Sequence, residues 1–146
     1  MNVEFHYYTI YALALEAGLP PDAAGVLAGA SQDIDASTTP LRLDGPDGTV
    51  DVTVTQNYAF WDQSVGQDVY LPYHFIPGDR LAAASRRRDG REHPLAVTPN
   101  ATIAKELLVM ALRDRDLYLA GIAMHSFADT WAHQNFCGII DDYNIA

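Results

Sequence analysis

Nine residues near the end of the chain, His125-Ser126-Phe127-Ala128-Asp129-Thr130-Trp131-Ala132-His133, constrain its fold more than any other stretch. They continue an apolar run, Leu117-Tyr118-Leu119-Ala120-Gly121-Ile122-Ala123-Met124, that reads as helix. On a helix, residues four apart stand one turn above each other on the same face. The His-x-x-x-Asp-x-x-x-His spacing therefore stacks three potential metal ligands in a column. Neighbours are separated by about 6 Å of axial rise and the two histidines by about 12 Å. Zn–N bonds are only about 2.0–2.1 Å long, so the histidines stand too far apart to share one ion, whereas the central carboxylate reaches both ways. The spacing predicts two metal positions bridged by Asp129.

A column of this kind needs partners from elsewhere in the chain. His6 lies in Phe5-His6-Tyr7-Tyr8, His74 in Tyr73-His74-Phe75, and Asp33 and Asp35 close an Ala-rich segment. Each has apolar or aromatic neighbours, which points to positions turned inward together. A carboxylate buried beside an apolar helix requires a partner. Histidine nitrogen with carboxylate oxygen suits zinc, with manganese or iron as alternatives. Of the two aspartates, Asp33 is favoured as the ligand and Asp35 as the helix-end residue. The other candidates have plainer readings. His93 fits a solvated loop, Cys137 a small packed residue, and the arginines between 86 and 91 a solvated face. The sharper reading of those arginines is an anion-steering patch.

The rest of the pattern is mainly α. Phe5, Tyr8, Tyr11, Ala12 and Leu15 recur at helical spacing from Val3 to Ala17, before Gly18 and Pro20-Pro21. A second helix opens at Pro21-Asp22, and its many Ala and Gly residues predict close packing on a neighbour. Residues 36–48 read as loop. Thr49 to Thr55 alternates valine with polar residues, which predicts a strand in a small hairpin near residues 49–60. Tyr70 to Gly78 contains Pro72 and is excluded from a regular helix interior. A third helix is expected from Thr98-Pro99-Asn100, and a kink near Asp114–Asp116 before the metal-ligand helix. The expected architecture is an orthogonal helical bundle around a metal site, a single domain over residues 1–146.

Of the 146 residues, 49% are hydrophobic, enough to build a core. The formal net charge of -10 argues against a broad nucleic-acid-binding surface, yet allows a phosphate-cleaving pocket in which metal supplies the local positive charge. A single cysteine excludes an intrachain disulfide. The N-terminal segment lacks the features of a signal peptide, and no apolar run approaches the ~20 residues of a membrane span. The expected location is cytoplasmic.

The motif around His125, Asp129 and His133, with an early histidine and an aspartate at the end of helix two, resembles the phospholipase C and zinc-nuclease superfamily. More closely, Phe5-His6-Tyr7-Tyr8, Ala30-Ser31-Gln32-Asp33-Ile34-Asp35, Leu71-Pro72-Tyr73-His74-Phe75 and His125 to Phe136 resemble an uncharacterised bacterial family related to it. The resemblance implies a mostly helical enzyme with up to three zinc ions. Asp33, His74, His125 and Asp129 would hold one, His133 a second, and His6 with the other side of Asp129 a third. Three departures stand out. Met1 and four more residues precede His6, whereas the superfamily uses its N-terminal amine as a ligand. After His133 only Asp141 and Asp142 remain to supply the downstream ligands, so the chain would be an N-terminal part of a longer domain or a reduced version. No leader is seen. The function implied is hydrolysis of a small-molecule or lipid phosphoester by metal-activated water, with Asp33 as general base. The alternatives are a non-catalytic metal-binding structural or interaction module, and a helical protein with a buried histidine hydrogen-bond network.

Overall fold

The computed structural model describes residues 2–145 and is mainly helical, with one two-stranded antiparallel sheet among those residues. Asn2 opens the first helix, its side chain accepting the Phe5 N–H at 3.1 Å. This helix, α1, starts as π-helical turns over Glu4–Thr9 and continues as α-helix over Ile10–Glu16. Helix α2 spans Pro21–Ala36, with Pro21 in its first turn, where a missing N–H costs nothing.

The hairpin lies earlier than its sequence pattern suggests. Strand β1 is Leu41–Gly45 and β2 is Gly48–Val52, so part of the expected 36–48 loop is strand. Leu41 faces Val52, and Leu43 faces Val50, while the Arg42–Asp51 pair on the other face closes to 2.7 Å. Both strands are almost wholly exposed, so no core contact fixes their extent. The turn does that instead, through Pro46-Asp47 and Gly48 at φ +123°.

Helix α3 begins as Gln63–Val65 and runs on as π-helical Gly66–His74, with Pro72 inside it. The segment is helical but wider than α, which accommodates the proline that bars a regular interior. Helix α4 is Arg80–Arg86, capped by the Asp79 carboxylate on the N–H groups of Leu81 and Ala82. Helix α5, Thr102–Asp114, starts later than expected. Asn100 stands at φ +58°, and the Thr98 hydroxyl accepts the Asp79 N–H instead of capping α5. A full break replaces the anticipated kink. Arg115 adopts the left-handed conformation, and Asp116 caps α6, Leu117–Ala132, by accepting from Tyr118 and Leu119.

Helix α6 is the centre of the packing. Ile10, Leu27, Ala28, Ala111 and Ala120 join α1, α2, α5 and α6 in one buried cluster. Gly121 lets α6 approach α2 closely. A Cβ there would strike the Leu27 carbonyl oxygen and lie 2.7 Å from the Ala30 Cβ. A second cluster gathers Ala83, Ala96, Cys137 and Tyr143, so Cys137 is packed as expected. The arginine stretch is not all solvated. The Arg87 guanidinium lies 3.8 Å above the Tyr143 ring, pairs with Asp89 at 2.6 Å and donates to the Asn135 carbonyl at 3.0 Å. His93, read as solvated, is half-buried against Tyr143. Among the described residues, no helix is long and apolar enough to cross a membrane.

Candidate metal centre

Four helices bring their polar residues to one point. His6 comes from the π-helical start of α1, Asp35 from the end of α2, His74 from the last residue of α3, and His125 and Asp129 from α6. All five are buried, with His125 wholly inaccessible. His133 caps the C-terminal end of α6, and its side chain is 35% exposed, making it the member that meets solvent. Both remote histidines stand on π-helical turns, a geometry often found at functional sites.

Asp129 is the hub. Its Oδ2 lies 3.0 Å from His74 Nδ1 and 3.2 Å from His125 Nε2. Its Oδ1 lies 3.1 Å from His6 Nε2 and 3.6 Å from His133 Nε2. The two column histidines thus face different oxygens of one carboxylate. Burial alone would raise the Asp129 carboxyl, but the imidazoles of His125, His133, His6 and His74 gathered around it hold it far below the usual carboxylate range. Burial lowers His125, outweighing the opposing pull of Asp129 and keeping the imidazole neutral, the form that binds metal.

Asp33, the expected ligand and base, is exposed and takes no part in the cluster; Asp35 stands there instead. Two residues on a helix are about 200° apart around the axis, so only one of the pair can face α6. Asp35 Oδ1 is 3.9 Å from His74 Nδ1 and 4.0 Å from His125 Nε2, and Asp35 Oδ2 is 3.9 Å from His6 Nε2. His6, His74, His125, Asp129 and His133 are all brought together as the sequence suggests. Two overlapping groups could each hold a metal ion, His74 with His125 and Asp129, and His6 with Asp35 and His125.

Sequence reading also missed Thr55 and Gln56, which follow the hairpin. His74 Nε2 donates to the Thr55 carbonyl at 2.8 Å. A carbonyl only accepts, so Nε2 carries a proton, and with the ring in its metal-binding form Nδ1 presents a bare lone pair. That lone pair faces an Asp129 oxygen at 3.0 Å and His125 Nε2 at 3.1 Å. Two acceptors at that separation repel unless a proton or cation lies between them. One proton from His125 Nε2 cannot serve both contacts well, and it would leave His125 Nδ1 bare, a buried atom with no hydrogen-bond partner among the described residues. A cation satisfies all three atoms at once. A tetrahedral ion with bonds of about 2.0–2.2 Å spaces its ligands about 3.3–3.6 Å apart. The edges of 3.0–3.2 Å, with Asp35 Oδ1 at 3.9–4.0 Å, straddle that range.

A cavity of about 570 Å³ opens over the Asp35, His6 and His133 side of the cluster. Phe5, Tyr70, Phe75 and Ile139 give it apolar walls, and among the described residues no Lys or Arg lines it. None of the arginines between 86 and 91 reaches its walls. His133 stacks on Phe75 with ring centroids 4.1 Å apart at this opening. Asp141 lines the same cavity, but its Oδ1 accepts the Tyr143 N–H at 2.7 Å; Asp142 pairs with Arg91 at 2.8 Å.

The chain matches the profile of one family over residues 1–146. It belongs to the "Family of unknown function (DUF6765)". No curated protein and no solved structure matches it. Membership in DUF6765 assigns no chemistry, so the functional argument rests on the site.

Proposed function

We propose that this DUF6765 chain is a metal-dependent phosphoesterase, akin in site design to the phospholipase C and zinc-nuclease superfamily. The observation that carries the reading is the two-faced Asp129 carboxylate, with one oxygen on buried His74 and His125 and the other on His6 and the cavity-facing His133. Asp35, His74, His125 and Asp129 would hold the inner ion. His6, His133 and the second Asp129 oxygen would serve an outer one, with zinc the first choice and manganese or iron alternatives. Such ions supply a water of lowered pKa and neutralise charge on phosphoryl oxygens. Asp35 would take the role first given to Asp33, its Oδ2 serving as the base for the attacking water. A substrate seated against the apolar walls would displace water there, which would strengthen the electrostatics around the phosphoryl group. With no Lys or Arg among the described residues that line the cavity, one phosphoryl charge suits it better than a polyanion.

A second reading is a non-catalytic clamp. The inner four donors are all buried and complete a tetrahedral set by themselves, as structural sites do. Elemental analysis and hydrolysis of bis(4-nitrophenyl) phosphate separate the two. The phosphoesterase reading expects at least one bound divalent ion per chain and metal-dependent release of nitrophenol, lost in His125→Ala. Bound metal without turnover of any phosphoester favours the clamp, and no uptake after reconstitution defeats both.

A further inference from the structure

The segment that follows the hairpin touches two of the inner donors at once. The Thr55 carbonyl accepts from His74 Nε2 at 2.8 Å, and the Thr55 hydroxyl donates to the Ile34 carbonyl at 2.8 Å, anchoring the segment to the end of α2. Gln56 is buried, and its Oε1 accepts the Asn57 N–H at 2.9 Å. With the oxygen engaged there, the amide NH2 is forced the other way. It reaches Asp35 Oδ1 at 3.4 Å, the same oxygen that faces His74 and His125. A carboxylate oxygen has lone pairs for both a metal and an amide donor. Partners of this kind fix the tautomer and aim of metal ligands.

We infer that Gln56 is a positioning residue for Asp35, acting with the Thr55 carbonyl, which sets His74 as an Nδ1 ligand. The inference rests on the metal reading above and adds to it the device that selects which atoms ligate. The hairpin thereby has a purpose in the site. It delivers Thr55 and Gln56 between α2 and α3, the two elements outside α6 that supply inner donors.

Co²⁺ is the probe, titrated into the metal-free full chain while visible absorption is recorded. The wild-type protein is expected to saturate. Gln56→Met, similar in length but without the amide, is expected to bind about 10–100-fold more weakly, with altered band positions, and to lower the metal-free unfolding midpoint by less than that loss of affinity corresponds to. Gln56→Glu keeps the shape and sets a carboxylate against Asp35, so it should weaken binding too; it carries the test should Gln56→Met fail to fold. In the metal-free protein, ¹⁵N shifts of the His74 ring are expected to report the proton on Nε2. Wild-type Co²⁺ affinity and spectrum in both variants would overturn the role of Gln56 while leaving the metal reading intact. A loss of affinity matched by an equal loss of metal-free stability would mark Gln56 as structural only and also overturn it. A wild-type protein that takes up no Co²⁺ overturns this inference together with the metal reading.

Discussion

At the scale of single residues, the site turns on which side of a helix a carboxylate leaves. Asp33 and Asp35 are two positions apart, and the chemistry of their neighbours in sequence hardly distinguishes them. What separates them is the helical phase of α2 against α6, which places Asp35 among the histidines and Asp33 in solvent. Asp33→Asn should therefore leave metal stoichiometry at its wild-type value, and Asp35→Asn should lower metal affinity by at least tenfold. Competitive titration with a chromophoric chelator reads both. Equal losses in the two variants would show that the phase of α2 has been misjudged. The same logic grades the histidines of α6. His125, wholly buried between His6 and His74, would serve the proposed inner position, whereas His133 sits at the opening and would serve only the outer one.

At the scale of elements, the contact between α2 and α6 sets the distance between Asp35 and His125. Gly121 sits in that contact, with no room for a Cβ against the Leu27 carbonyl and Ala30. Gly121→Ala should overpack the interface, cost about 1–3 kcal/mol of stability and weaken metal binding by pushing the two ligand-bearing helices apart. Gly29, on α2 itself, offers the contrast, since a Cβ there meets nothing within 4 Å. Gly29→Ala should be neutral or stabilising by about 0.5–1 kcal/mol, because alanine gives up less backbone freedom in a helix. Urea unfolding of the metal-free proteins measures both, and a stabilised Gly121→Ala would defeat the packing argument. The small residues of α2 announced a close neighbour, and the alanines do face one. The glycine that permits the approach belongs to α6, hidden in a run that read only as apolar.

The same contrast explains what was legible in the sequence and what was not. The column of His125, Asp129 and His133 follows from helical period alone, and His6 and His74 stand out as histidines in aromatic company. Local pattern also located α1, α2 and α6 closely. It missed β1 because an exposed ribbon has no buried face to impose alternation over a long stretch. It set α5 too early because Thr98, a plausible cap, bonds to Asp79 in tertiary structure instead. Gln56 carried no local signal, since an amide beside a candidate metal ligand looks like any other amide until the fold brings Asp35 to it. Arg87 looked like one more solvated charge until Tyr143, 56 positions away, supplied a ring beneath it.

At the scale of the whole molecule, the cluster is where four helices and the segment after the hairpin meet, so its charge state is coupled to global stability. Without metal, His125 has a folded-state pKa below its ordinary 6.5. As pH falls through that value, the unfolded chain takes up a proton that the folded chain refuses, and stability is lost. Asp129 is also held well below its ordinary 3.8, so its share of stability is present above that pH and is lost only in stronger acid. The two shifts act in the same direction in successive windows. The metal-free protein should thus weaken first below about pH 6.5 and again below about pH 4. Bound metal requires neutral imidazole and competes with the same proton, so its stabilisation must also fade as acid rises. At 100 times the dissociation constant a single ion adds about 2.7 kcal/mol, which for a chain of this size is a melting shift of roughly 5–10 °C. Scanning calorimetry with zinc and with a chelator, at pH 7.5 and pH 5.5, tests the coupling. The expected result is a zinc-dependent shift at the higher pH that shrinks strongly at the lower one. A shift of equal size at both would mean that the histidines are not the groups holding the ion. The hub made by Asp129 would then stabilise the fold through hydrogen bonds alone.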